Sequence, residues 1–173
     1  NEKAIDAEME LLYHCNFGPP FLEEGARMEV AAREVAPRDA RAAEGLDAYE
    51  NYLGPTAGYV EQVYWYDLLA REDGSTLAML RNAAADKGLV LRFDQGQLPA
   101  FTQWKNTASV ADGYVTGLEP ATDYPNGNPV RLRRSGRRPG AAAAAIDQSA
   151  GQRPQVYRAR RGRSRRGVGR RIA

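Results

Sequence analysis

The sequence predicts an all-β domain over residues 1–130, an antiparallel sandwich or barrel, followed by a disordered basic tail over residues 131–173. Two observations carry this reading. From Tyr59 onward, short runs of branched and aromatic residues alternate with Gly, Asn and Asp turns, the pattern of an antiparallel β-domain. Charge also divides the chain. Residues 1–130 hold 10 Lys and Arg against 21 Asp and Glu, whereas residues 131–173 hold 14 Arg, no Lys and one acid, Asp147. The overall +2 therefore averages an acidic domain and a basic tail.

Taken in order, residues 8–15 read as a strand entering a turn, stopped at Gly18-Pro19-Pro20 because proline cannot donate to a ladder. Residues 27–35 suit a strand about as well as a short helix, and Pro37 ends the run. Residues 36–58, rich in Ala, Gly, Pro and acids, read as a long surface connection. Residues 60–69 form an aromatic strand, and Asp73-Gly74 is a hairpin signal before a return strand at 76–81. Asp86-Lys87-Gly88 makes the next turn, and residues 89–93, 98–105 and 113–118 supply three more strands. The tail has almost no large apolar residues and no periodicity, so it cannot offset the chain entropy that ordering removes.

Composition narrows the function classes. No stretch approaches the ~18–20 apolar residues of a membrane helix. Cys15 has no intrachain partner, which suits a reducing compartment. The N-terminus is not a signal peptide, so a cytoplasmic location is expected; it also lacks an initiator Met, so a start inside a longer protein is expected. One His and one Cys without zinc-type spacing argue against a metal site. No phosphate-binding glycine loop is present.

The candidate chemistry lies in two stretches. Leu12-Tyr13-His14-Cys15-Asn16-Phe17-Gly18 carries the lone histidine, just before a turn. Gly117-Leu118-Glu119-Pro120-Ala121-Thr122-Asp123-Tyr124-Pro125-Asn126-Gly127 carries a carboxylate at the end of an apolar run. An imidazole and a carboxylate meeting in a cleft form a general acid/base pair, although each residue alone is as readily a buried or a solvated structural group. Trp104-Lys105-Asn106 joins an aromatic platform for a sugar ring to two hydroxyl-binding groups, and Trp104 is equally readable as core. Glu61 suits a hydroxyl ligand or a solvated face. Tyr64, Trp65 and Tyr66 alternate across a sheet, so at least one ring faces a core.

The first stretch, Glu61-Gln62-Val63-Tyr64, residues 98–106 and the glutamate stretch together resemble the aldose 1-epimerase (galactose mutarotase-like) superfamily, nearest its bacterial DUF4432-type branch. The resemblance covers roughly residues 8–130 and implies part of an antiparallel β-supersandwich longer than this chain. By motif it gives His14 the role of general acid, Glu119 that of general base, and Glu61 that of a sugar-hydroxyl ligand; Trp104, Lys105, Asn106 and Asn16 are the further substrate-binding candidates. Asn16 follows His14 by two positions where the family has four, and Ala121-Thr122 replaces a pair ending in Gln. The implied partner is a small-molecule sugar, and no cofactor is needed. The implied reaction is anomer interconversion.

The tail's Arg, Ala, Gly and Pro without Lys is the composition of a GC-rich gene read out of frame, so an inactive truncated family member is one expectation. A non-catalytic carbohydrate-binding protein on the same fold is the alternative. Nucleic-acid binding through the tail ranks below both, because that tail has one aromatic, Tyr157, and no stacking platform. An incomplete sandwich would leave open edges, and the sequence assigns no oligomeric state. The acid/base reading requires His14 and Glu119 across one pocket, within about 5–7 Å after allowing for a bound ring.

Overall fold

The computed structural model describes residues 9–125 and the two-residue strand Tyr157–Arg158. Its strands are β1 (Cys15–Phe17), β2 (Arg27–Val30), β3 (Ala32–Pro37), β4 (Gln62–Leu68), β5 (Ser75–Arg81), β6 (Gly88–Asp94), β7 (Ala100–Asn106), β8 (Val115–Ala121) and β9 (Tyr157–Arg158). Every pairing is antiparallel. One sheet has the order β1-β8-β7-β4-β3-β9, and a second has the order β2-β5-β6.

The two sheets share a core. Tyr64, Tyr66, Leu68, Phe101 and Leu118 of the larger sheet pack with Met28, Ala78 and Leu80 of the smaller. Phe93 stacks on Phe101 with ring centroids 6.0 Å apart, joining the layers. The opposite face of the larger sheet carries a smaller cluster of Ala36, Trp65, Ala100, Ala121 and Tyr124, with Leu12 against it. Period-two geometry explains how Tyr64, Trp65 and Tyr66 are all buried: the tyrosines enter the shared core and the tryptophan enters the second cluster.

The expected β fold is present, with four local differences. Residues 27–35 are two strands, β2 and β3, placed in different sheets. The stretch 36–58 is not a plain surface connection. It contains the last turn of β3, a short helix α1 (Ala40–Glu44) capped by the Asp39 side chain, a 3-10 turn at Leu46–Ala48, and the buried Ala42, Leu46 and Tyr52. Asp73-Gly74 does form a tight turn, with Gly74 at φ 79°, but it links β4 of one sheet to β5 of the other instead of closing a hairpin. Strand β1 begins later than expected; ahead of it, Leu12 bridges Ala121 and Tyr13 N donates to Pro120 O at 3.0 Å. The expectation of disorder for residues 131–173 lies outside the described residues, apart from β9, whose backbone pairs with β3 at Glu34 and Val35.

A polar chain runs through the shared core. Tyr66 Oη donates to Gln103 Oε1 at 2.5 Å, and Gln103 Nε2 donates to Tyr52 Oη at 2.8 Å. Tyr52 Oη and Thr116 Oγ1 lie 2.8 Å apart, and Thr116 Oγ1 donates to the Trp104 carbonyl at 2.8 Å. Gln103 is fully buried and supplies both the acceptor and the donor at the middle of the chain. A buried network of this kind stabilises only while every member is satisfied. Gln103→Leu is therefore expected to lower unfolding free energy by about 2–4 kcal/mol, because it strands the Tyr66 hydroxyl and removes the donor to Tyr52, which keeps Thr116. Urea unfolding of the two proteins reads the difference.

Candidate active site

Strand β8 presents Val115, Gly117, Glu119 and Ala121 on one face, and register decides what stands beside them. On the β7 side, Thr102 opposes Glu119, Trp104 opposes Gly117 and Asn106 opposes Val115. On the β1 side, Asn16 opposes Gly117. His14, two residues before Asn16, falls beside Glu119 on the same face. Its Nε2 lies 3.0 Å from Glu119 Oε1. The imidazole is half exposed and the carboxylate is buried, with side-chain exposures of 47% and 5%.

This contact is one of charge and proximity, not of an aligned hydrogen bond: Glu119 Oε1 is buried without a hydrogen-bond partner. Burial raises the Glu119 pKa above the ordinary carboxylate value; His14 opposes the shift and the Glu61 carboxylate adds to it. At 3.0 Å the pair lies inside the limit of about 5–7 Å. Gly117 makes the approach possible. A Cβ there would stand 2.5 Å from Glu119 Oε1 and 3.3 Å from His14 Cε1.

Trp104 flanks the pair. Its ring meets His14 edge-on, with centroids 5.4 Å apart at 70°. Its Nε1 donates to Glu61 Oε2 at 2.6 Å, and Arg38 Nη2 donates to Glu61 Oε1 at 2.9 Å. Arg38 Nε also donates to Asp39 Oδ2 at 3.0 Å. The Trp104 hydrogen bond, with help from Arg38, holds the Glu61 pKa below its usual value. Both Glu61 oxygens therefore hold protein groups, and what this geometry shows Glu61 doing is fixing the tryptophan edge.

Asn16 and Asn106 share the face. Asn16 is exposed, while Asn106 Nδ2 donates to Gly113 O at 3.1 Å. Lys105 does not come to this site. One position along β7 turns its side chain into the shared core, where Nζ donates to Tyr49 O at 3.1 Å and Asn51 O at 2.6 Å and lies 5.0 Å from the Tyr52 ring centroid. The expectation that it binds substrate is corrected by strand periodicity. Sequence reasoning also passed over Arg38, Thr102 and Gly117. The readable signals were a cation just after Pro37 and the Gly-x-Glu spacing, which puts a residue with no side chain on the carboxylate's own face. Among the described residues, no group of three or more His, Cys, Asp or Glu is placed to hold a metal ion, and no helix is long and apolar enough to cross a membrane.

Two measurements test this placement. Burial lowers the Lys105 pKa from 10.5 to about 8. Between those values the unfolded chain binds the extra proton, so stability rises with pH across that window, by up to about 3 kcal/mol. The difference in unfolding free energy between wild type and Lys105→Met should show that rise; a flat difference removes the buried ammonium. Gly117→Ala should fold, because the obstructing group is the far end of a flexible side chain, yet displace the carboxylate. Carbon NMR of the Glu119 carboxyl should then give a changed titration curve, and an unchanged one contradicts the close approach.

The family described as "Domain of unknown function (DUF4432)" matches residues 1–144. A crystal structure from Klebsiella pneumoniae subsp. pneumoniae MGH 78578, described as a "putative aldose 1-epimerase", is 46% identical over 66% of this chain, with a TM-score of 0.66. The chain spans 30% of that protein's length. No curated protein matches the chain.

Proposed function

The chain belongs to the DUF4432 family, and from that premise we propose that the His14–Glu119 face is the acid/base centre of an aldose 1-epimerase-like isomerase acting on the anomers of a cyclic sugar. The observation that carries the reading is the 3.0 Å approach of a half-exposed imidazole to a buried carboxylate oxygen that has no hydrogen-bond partner. The resemblance to the Klebsiella protein supports it.

The chemistry follows from where the reacting oxygens sit. In a cyclic aldose the anomeric hydroxyl and the ring oxygen are bonded to the same carbon, C1. An acid and a base serving them must stand side by side, and His14 and Glu119 do. The Glu119 carboxylate takes the anomeric O–H proton while the His14 imidazolium gives a proton to the ring oxygen. The C1–O bond to the ring breaks, leaving an open-chain aldehyde, and the C1–C2 bond rotates. On reclosure the ring hydroxyl attacks the other face of C1, returns its proton to His14, and Glu119 reprotonates the new anomeric oxygen. A carboxylate with a raised proton affinity is a stronger base for the first transfer. Trp104, held by Glu61 and Arg38, offers a ring face beside the pair, and Asn16 and Asn106 offer amides to hydroxyls.

Anomer exchange by NMR on glucose and galactose tests the reading. Glu119→Gln and His14→Asn should each lower the exchange rate by about 100-fold or more. Because Glu119 must be ionised and its pKa is raised, the acid limb of kcat/KM should lie above the ordinary carboxylate range and vanish in Glu119→Gln. Exchange indifferent to both substitutions ends the proposal. The half-buried Trp104 favours a second reading, a non-catalytic sugar-binding module, which is what sugar binding without any exchange would establish.

A further inference from the structure

We propose that Trp65, Thr102 and Glu119 form a hydrogen-bond relay that closes when Glu119 ionises, which makes Trp65 and Thr102 positioning residues for that carboxylate. The catalytic meaning of the relay rests on the function proposed above; the relay itself does not.

Register puts the three residues in one row across neighbouring strands: Trp65 of β4 opposes Thr102 of β7, and Thr102 opposes Glu119 of β8. All three lie on the same face, with exposures of 1%, 1% and 4%. Directly opposed side chains on one face have Cβ atoms about 4.5–5.5 Å apart, so a change of the Thr102 χ1 rotamer can carry its hydroxyl to hydrogen-bond distance. Each of the three carries a buried polar atom with no hydrogen-bond partner: Trp65 Nε1, Thr102 Oγ1 and Glu119 Oε1. Buried polar groups left this way are uncommon; Arg27 Nε, Tyr64 Oη and Thr107 Oγ1 are others among the described residues, but these three stand in one row and call for a common cause. Their chemistry is ordered along the row. An indole nitrogen only donates, a hydroxyl donates and accepts, and a carboxylate only accepts. That sequence is the one in which Trp65 N–H can donate to Thr102 Oγ1 while Thr102 O–H donates to Glu119 Oε1, each bond polarising the next.

Ionisation is the natural trigger. A protonated carboxyl accepts weakly, while a buried carboxylate gains most from a charge-assisted bond. The titratable groups that face Glu119 are His14 from the β1 side and Glu61 ahead of β4, and Cys15, on the other face opposite Leu118, feels its charge. From β7 only Thr102 and Trp104 face it, Lys105 being on the other side of the sheet. Near Trp65 the charged groups on that face are Asp67, paired with Arg33, and Glu34.

The test is the Trp65 indole N–H resonance, assigned in the intact chain by its nuclear Overhauser contacts to the Tyr124 ring and followed with the Glu119 carboxyl carbon through a pH titration. The indole proton should move downfield through the same midpoint as the carboxyl. That movement should disappear in Glu119→Gln and Thr102→Val and return in Thr102→Ser. Thr102→Val should also move the Glu119 midpoint to higher pH, because the ionised form loses a donor, and lower kcat/KM for anomer exchange about tenfold. An indole resonance that stays flat while Glu119 titrates overturns the relay, and that measurement needs no variant to fold. A relay that titrates as described in a protein without anomer exchange leaves the relay standing and removes the catalytic reading.

Discussion

The antiparallel register of β8 between β1 and β7 is the constraint on which the rest depends. It gives Glu119 a neighbour on each side, His14 from one and Thr102 from the other, and gives Gly117 Asn16 and Trp104. Side chains alternate with a period of two, so a slip of one residue would send Glu119 into the apolar core and bring Leu118 to the open face. The core forbids that slip. Leu118 is fully buried with Phe101 and Tyr66, and Gln103 and Thr116 are tied into the polar chain beneath them. The packing of one face thus fixes the chemistry of the other.

The face bearing Glu119 also carries a thermodynamic cost. An ionised carboxylate with 5% side-chain exposure and one oxygen lacking a partner opposes folding as pH rises, since the folded state holds its proton more tightly than the unfolded chain. The linkage gives the sign: stability falls as pH climbs from the ordinary carboxylate value through the raised one. The two-sheet core and the Gln103 network supply the margin that tolerates this.

Most of the fold was legible because its signals are local. The aromatic run around Tyr64–Tyr66 and the alternating Leu-Val-Leu-Arg-Phe gave strands where strands are, and glycine turns separated them. What escaped was nonlocal. Asp73-Gly74 reads the same whether the strands it joins pair or part, and here they part between sheets. Residues 36–58 look like surface chain by composition, yet Ala42, Leu46 and Tyr52 are buried against distant strands. At the site, His14 and Glu119 were identifiable by type and motif, and their contact is a matter of register, which composition does not encode. Lys105 was misplaced by a neglect of periodicity: next to Trp104 in sequence is opposite to it in a strand. Thr102 offers only a hydroxyl and Gly117 no side chain at all, so their positions across from Glu119 and beside it are what make them matter.

The burial gradient along the site suits the division of labour proposed for it. The row runs from Trp65 and Thr102 at 1% exposure, through Glu119, to His14 at the half-exposed end. A base gains strength where water is scarce, because desolvation raises its proton affinity. An acid that must start protonated needs the opposite, since an imidazolium is stabilised by water and by an adjacent carboxylate. The carboxylate stands on the dry side, where burial raises its proton affinity, and the imidazole 3.0 Å away stands on the wet side. Exchanging their burial would leave the carboxylate an ordinary solvated acid. The arrangement therefore follows from the slope of the environment across one strand row, and a ligand entering from the open end meets His14 first.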